Sequence, residues 1–344
     1  MPLQYIRSKA PLRIGLAGGG TDVSPYSDLY GGAILNATIN LYAYTTIEVT
    51  EDNTLVFQSI DQNQYFETPS SPFLEIDTNQ ILLKGAYNHI IKNFNNNQPL
   101  SCKITTFVDA PAGSGLGTSS TLMVSIIGAF VEWLKLPLGE YDIAHLAYEI
   151  ERTELKMAGG KQDQYAATFG GFNFMEFHAD NKVIVNPLRI KQNYINELDL
   201  NILLYYTSTS RQSATIIEAQ QKNVKSEDSS SIEATHKVKE QAFMMKEAIL
   251  KGELNKVGQL LDFGWQNKKK MASNISNASI DAFYELAMQA GANGGKISGA
   301  GGGGFMTFYC PNNTRFAVEK ALLANGGEVK KFQFCPEGLT TWSW

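Results

Sequence analysis

The chain has 344 residues, 43% hydrophobic and 18% charged, with a formal net charge of −5. That length suits two domains around a sizeable core, and the charge balance gives no basic surface of the kind nucleic acid or an anionic membrane would require. Cys102, Cys310 and Cys335 are odd in number and widely spaced, so they read as buried thiols of a reducing compartment, not as a disulfide frame or zinc site.

Residues 1–16, MPLQYIRSKAPLRIGL, lack the apolar core of a secretory signal, and no stretch approaches the ~20 apolar residues of a membrane span. The expectation is a cytoplasmic protein. Residues 5–17 read as a strand with Ile6, Ile14 and Leu16 in the core and Pro11 at an edge or bulge. It closes on Gly18-Gly19-Gly20-Thr21-Asp22. Arg13, alone in an apolar run, reads by itself as a surface side chain, and Asp22 as a turn or cap. Residues 34–49 and 54–60 alternate as strands about the turn Glu51-Asp52-Asn53, and 81–94 has helical spacing.

Residues 102–108 alternate as another strand, followed by DAPAGSGLGTSST from Asp109 to Thr121 and an apolar helix over 122–134. Gly113, Gly115 and Gly117 sit just before that helix. A residue without Cβ lets backbone amides approach a ligand, and the first-turn amides and dipole favour negative charge. Thr118, Ser119 and Ser120 add hydroxyls, which together suit a polyphosphate. The pattern is neither the P-loop, since no Lys follows the glycines, nor the dinucleotide fingerprint, since Thr118 stands where the third glycine belongs.

Further on, 141–156 reads as one helix carrying Glu149, Glu151 and Glu154, and Gly159-Gly160-Lys161-Gln162-Asp163-Gln164-Tyr165 opens another that closes at Gly170-Gly171. Residues 171–177 and 183–188 are strands, and a boundary falls near 190–200, where a fresh strand begins. Thr207 to Arg211 precede a helix from Ser213 and read equally as an anion site or a plain cap with a surface Arg. Residues 226–231 form a polar loop, and 232–251 and 254–271 long amphipathic helices. The run Lys268-Lys269-Lys270 is most simply a solvated last turn. A helix (280–289), the glycine-rich GGKISGAGGGG of 294–304, a strand (305–310), a helix (315–324) and a strand (328–335) complete the chain. Gly299, Gly301 and Gly304 match G-x-G-x-x-G, but the helix-then-strand order is the reverse of a dinucleotide fold.

The segment PAGSGLGTSS (Pro111 to Ser120) resembles the second signature motif of the GHMP kinases. APLRIGLAGGGTD (Ala10 to Asp22), GGKQDQ and GGKISGAGGGG are similar to three further motifs of that family, in the family's order and across nearly the whole chain. The resemblance implies an α+β, two-domain GHMP-kinase fold. Residues 1–195 would form the mixed α/β nucleotide-binding domain and 196–344 a ferredoxin-like C-terminal domain.

It implies ATP bound by Pro111, Gly113, Ser114, Gly115, Leu116, Gly117, Thr118, Ser119 and Ser120, with Mg²⁺ on Ser119 and Glu151. Glu149 and Glu154 are the alternatives to Glu151. Asp163 would be the catalytic carboxylate with Arg13 beside the reacting hydroxyl. Gly20, Thr21, Asp22, Lys161, Arg211 and Gly301 would contact the substrate.

The GGGTD and GGKQDQ forms are closest to the heptose and fucose kinase branch, which implies a sugar-phosphate substrate phosphorylated at its anomeric hydroxyl. A hexose kinase and a non-catalytic sugar sensor of the same fold are the rival readings. A monomer or homodimer, with no nucleic-acid or membrane partner, is expected.

Overall fold

A computed structural model describes residues 5–208 and 213–344. Its elements, in chain order, are β1 (Tyr5–Ala17), α1 (Tyr26–Tyr30), β2 (Gly32–Val49), β3 (Thr54–Ser59), β4 (Gln64–Pro69), α2 (Ile81–Phe94), β5 (Cys102–Val108), α3 (Thr118–Leu134) and α4 (Glu140–Glu149). A π-helical turn (Ile150–Glu154) leads to α5 (Gln162–Phe169), β6 (Phe172–Phe177), β7 (Val183–Pro187), α6 (Gln192–Asn201) and β8 (Ile202–Tyr206). Then come α7 (Ser213–Lys225), α8 (Ser229–Lys251), α9 (Asn255–Lys268), α10 (Ala278–Gln289), β9 (Gly294–Ile297), β10 (Phe305–Tyr309), α11 (Arg315–Leu323), β11 (Glu328–Lys330) and β12 (Thr340–Ser343).

The first sheet has eight strands, in the order β12-β1-β2-β5-β3-β4, with β6 and β7 added beside β2. The long β2 organises it: Ala43 to Val49 pair with β5 and Gly32 to Ala37 with β6, while β1 runs antiparallel along most of its length. Among the described residues only β3 and β5 pair in parallel. In β1 the register shifts between Pro11 and Arg13, where the proline has no N–H to give to a ladder. From Ala10 onward β1 is buried on both faces, and this is why Arg13 is inside.

One face of this sheet packs Ile47, Leu55, Phe57 and Ile104 against Tyr87 and Ile90 of α2 and Met123, Ile127 and Phe130 of α3. The other side sets Leu12, Ile14 and Leu16 against Met245 and Ile249 of α8 and Val257 and Leu261 of α9. These two layers hold α3, α5 and α9 around the end of β1.

The second sheet has the order β11-β8-β10-β9, antiparallel throughout. That is the ferredoxin-like order, with four helices from α7 to α10 in the first crossover and α11 in the second.

Several elements differ from the sequence expectation. The helix expected over 141–156 stops being α-helical at Ile150, where Leu155 N–H donates to the Ile150 carbonyl at 2.9 Å and opens a wider π turn. The strand expected over 328–335 ends at Lys330. The following residues turn to the first sheet, where Cys335 N–H donates to the Thr38 carbonyl at 3.0 Å, and β12 then covers the edge of β1. β4 and α6 were not anticipated: β4 alternates half-buried and exposed residues, with Phe66 against the core, and α6 fully buries only Leu198 and Asn201, with Tyr194 and Ile195 half-buried beside them. The three thiols are free and buried. Among the described residues no helix is long and apolar enough to cross a membrane.

Candidate active site

The loop after β5 turns with positive φ at Gly113, Gly115 and Gly117, and α3 begins at Thr118 directly above it. A Cβ on Gly115 would lie 2.7 Å from the Ser298 carbonyl oxygen, and one on Gly299 would lie 2.8 Å from the Gly115 Cα. The N-terminal and C-terminal glycine loops therefore pack backbone on backbone, a contact no side chain permits. Phe305 N–H donates to the Ser114 carbonyl at 2.9 Å and fixes the same approach. Gly113, Gly115, Gly117, Thr118, Ser119 and Ser120 line a cleft of about 700 Å³. Pro111, Ser114 and Leu116 do not. The Pro111 carbonyl accepts from Ser114 N–H to close the turn, Ser114 is buried beneath it, and Leu116 belongs to the core.

Asp163, in the first turn of α5, faces this loop. Its Oδ1 accepts from Arg13 Nε at 2.7 Å, from Arg13 Nη2 at 2.6 Å and from Gln162 Nε2 at 3.1 Å. Arg13 Nη1 also donates to the Gly115 carbonyl at 2.5 Å, so one guanidinium ties β1, the phosphate loop and α5 together. Three donors fill Oδ1. Among the described residues no donor reaches Oδ2, and a Cβ on Gly117 would sit 3.1 Å from it.

Of the three helix carboxylates, Glu151 is the one brought to the loop. It is fully buried, with Oε1 accepting from Ser119 Oγ at 3.1 Å and Oε2 from Gln164 Nε2 at 2.6 Å. Arg152 Nη2 and Gln164 Nε2 both donate to Ser120 Oγ, at 3.2 and 3.1 Å. Glu154 instead meets His89 Nδ1 at 2.7 Å, on the side of α2. The π turn separates these two carboxylates, which a regular helix would bring closer to one face.

Asp22 and Gly20 line the same cleft. Asp22 Oδ2 accepts from the backbone N–H of Lys161 at 2.8 Å and Gln162 at 2.9 Å, so it anchors the start of α5. Burial pushes its pKa up, against those hydrogen bonds, and the Asp163 charge adds to the rise. Thr21 is fully buried, bonding Gly18 and Ala33 backbone.

Lys161 does not join the cleft. Its buried ammonium lies 5.6 Å over the Tyr148 ring and 3.6 Å from Asp28 Oδ1, because its backbone is held by Asp22. Gly301 is turned against Ile275, while Gly299 and Ala300 form that part of the wall. Arg211 lies outside the described residues.

Two side chains in the cleft were not singled out from sequence. Lys268, expected in a solvated turn, is instead only 4% exposed and donates to the Gly299 carbonyl at 2.5 Å. It falls on the buried face of α9 with Leu261 and Trp265, spacing that separates it from exposed Lys270. Lys296, a lone Lys between glycines, is 5% exposed and donates to the Gly15 carbonyl at 2.8 Å. Burial lowers the pKa of Lys268 to about 8, with Arg13 pushing the same way and Asp22 opposing. Lys296 is lowered further by burial, Lys268 and Arg13. A second cavity of about 260 Å³ opens from the phosphate loop, walled by Leu82, Leu83, Val108, Leu122 and Met157 with Ser59 and Gln80.

A glycine-lined cleft, a carboxylate–guanidinium pair within it and a ferredoxin-like second sheet are the features of a small-molecule phosphotransferase of one fold family. The model of the GHMP kinases N terminal domain matches residues 81–171, and that of the GHMP kinases C terminal domain matches 245–327. The D-glycero-alpha-D-manno-heptose 7-phosphate kinase of Campylobacter jejuni is 48% identical over 340 residues, 99% of each chain. A solved D-glycero-D-manno-heptose 1-phosphate kinase from Bacteroides thetaiotaomicron superposes with a TM-score of 0.83 at 47% identity, covering 98% of each chain. The L-fucokinase/L-fucose-1-P guanylyltransferase of Bacteroides fragilis is 28% identical over 88% of this chain and 34% of its own length. The chain belongs to the GHMP kinase family.

Proposed function

We propose that the protein is an ATP-dependent sugar kinase that phosphorylates the anomeric hydroxyl of D-glycero-D-manno-heptose 7-phosphate, giving the 1,7-bisphosphate. The 48% identity to a heptose 7-phosphate kinase supports the substrate class. The observation that carries the chemistry is Asp163: its Oδ1 is filled by three donors while Oδ2 is left facing the phosphate loop.

The triphosphate lies along Gly113 to Ser120, against the amides that open α3, and the second cavity takes the adenine. Ser119 Oγ and Glu151 Oε1 are a hard-oxygen pair that would hold Mg²⁺. A cation held by this pair would supply charge neutralisation for the phosphoryl group in transfer. The acceptor sits by Asp22 and Gly20. Its anomeric oxygen attacks the γ-phosphorus, the bond to the bridging oxygen breaks and ADP leaves, and the hydroxyl proton passes to Asp163 Oδ2. Arg13 holds Oδ1 fixed so that only the free oxygen meets the hydroxyl, and it offsets negative charge as the transfer proceeds.

An ADP-release assay across phosphorylated heptose, free heptose, fucose and hexoses, with ³¹P NMR of the product, tests this. Turnover on heptose 7-phosphate with a new anomeric phosphate is expected. Higher kcat/KM on fucose or a hexose overturns the substrate. Binding of both ligands with no ADP formed points to the sensor reading.

A further inference from the structure

We propose that Lys268 and Lys296 form a phosphate subsite in the C-terminal wall of the cleft, over Gly19. The proposal rests on the kinase reading for what fills the cleft, but not for its geometry. Both ammonium groups are almost fully buried, and each has one backbone carbonyl as its hydrogen-bond acceptor, Gly299 for Lys268 and Gly15 for Lys296. Among the described residues neither has a carboxylate oxygen within ion-pair distance. An ammonium carries three donors, so donors on each remain for a ligand. A buried charge without a counterion is costly, and a site that keeps two of them gains by receiving an anion.

The two groups converge. A Cβ on Gly19 would lie 3.5 Å from Lys268 Nζ and 3.8 Å from Lys296 Nζ, and the glycine leaves that space open to the cleft. One tetrahedral oxyanion placed there reaches both. The other charges facing the spot are Arg13, itself tied to Asp163, and Asp22, whose Oδ2 is occupied by backbone amides. The local excess is positive on a chain whose formal net charge is −5. Lys161, which the family resemblance placed on the substrate, is turned toward Tyr148 and Asp28.

A phosphate at this point comes from one of two sources, the phosphate carried by the acceptor or the γ-phosphate of the nucleotide. Calorimetry separates them without requiring turnover, so it stays informative even if the kinase reading fails. Wild type, Lys268→Met and Lys296→Met are each titrated with heptose 7-phosphate, free heptose, a non-hydrolysable ATP analogue and ADP. Methionine keeps the length and apolar stem while removing the charge, and a melting curve checks that each variant is folded.

If the acceptor supplies the phosphate, each variant loses roughly tenfold or more in affinity for the phosphosugar and little for the free sugar. If the γ-phosphate does, the same loss falls on the ATP analogue and spares ADP. Gly19→Ala keeps both lysines and its backbone needs no positive φ, yet its methyl enters the space between them. It should weaken the same member of the same pair. Affinities that are unchanged in all three variants, or that fall alike within both pairs, overturn the proposal.

Discussion

The two walls of the cleft would meet an anion by different physics. On the N-terminal wall, Gly113 to Ser120 present amides and hydroxyls whose dipoles are fixed by the turn and by α3. Such groups bind an anion without burying any net charge. On the C-terminal wall, Lys268 and Lys296 present buried amines whose pKa values burial depresses. Arg13 stands between the walls and differs from both, because Asp163 already balances it. The comparison teaches that the amide wall carries no titratable group, whereas burial makes the charge of the lysine wall costly to hold.

The largest effect is expected between the walls. Asp163→Asn keeps the size of the side chain and removes the proton acceptor, so kcat should fall by ~10²–10⁴ while both ligands bind nearly as before. Retained turnover in a steady-state assay would mean that positioning by the two walls suffices.

The lysine wall is sharpened by pH. The folded-state pKa of Lys268, about 8, is below the ordinary 10.5, so the folded protein sheds this proton first. Its burial penalty is therefore full below about pH 8 and is relieved as pH rises from there to about 10.5. Lys268→Met should exceed wild type in unfolding free energy by on the order of 3 kcal/mol near pH 7. That gap should shrink toward pH 10, and a gap independent of pH in denaturant titrations contradicts this electrostatic origin.

The amide wall is broken differently. Gly117→Ala forces an alanine to φ 79° and places its Cβ 3.0 Å from Asp163 Cγ. ATP affinity should drop roughly tenfold or more, because a loop that relaxes away from about 1–2 kcal/mol of strain and from the crowded carboxylate must be restored on binding, and that relaxation spares the melting temperature. Unchanged ATP binding by calorimetry removes this loop from the nucleotide site.

The smallest change is Glu151→Gln. It keeps an acceptor for Ser119 but weakens the hard-oxygen pair, so the Mg²⁺ concentration for half-maximal rate should rise about tenfold while the KM of the sugar stays put. An unaltered Mg²⁺ dependence sends the metal elsewhere.

Much of this was legible along the chain because the signals are local. The alternation of 102–108, the apolar run after it and the glycines between them are short-range consequences of strand pleat, helix packing and positive φ, and β5 and α3 fall there. The helix over 81–94 falls there as well. Arg13 and Asp163 stood out only through the motifs around them, since 150 residues separate the partners of that 2.7 Å hydrogen bond. The strand over 328–335 was half right, because the backbone partners for its second part lie in β2, at Thr38 and Asn40.

What the sequence by itself determined is the set of turns, strands and helices whose causes lie within a few residues, and the placing of a glycine-rich loop before α3. What only the tertiary structure decided is which polar side chains face one another. Glu151 and not Glu154 meets Ser119, because a π turn sets their directions and α2 supplies His89 as the other partner. Lys268 leaves its neighbours Lys269 and Lys270 and enters the cleft, because α9 ends against the Gly299 carbonyl. Lys161 turns away, because Asp22 holds its backbone. A side chain's role depends on burial and on partners far along the chain, and those are set only when the two sheets and the helices between them have packed.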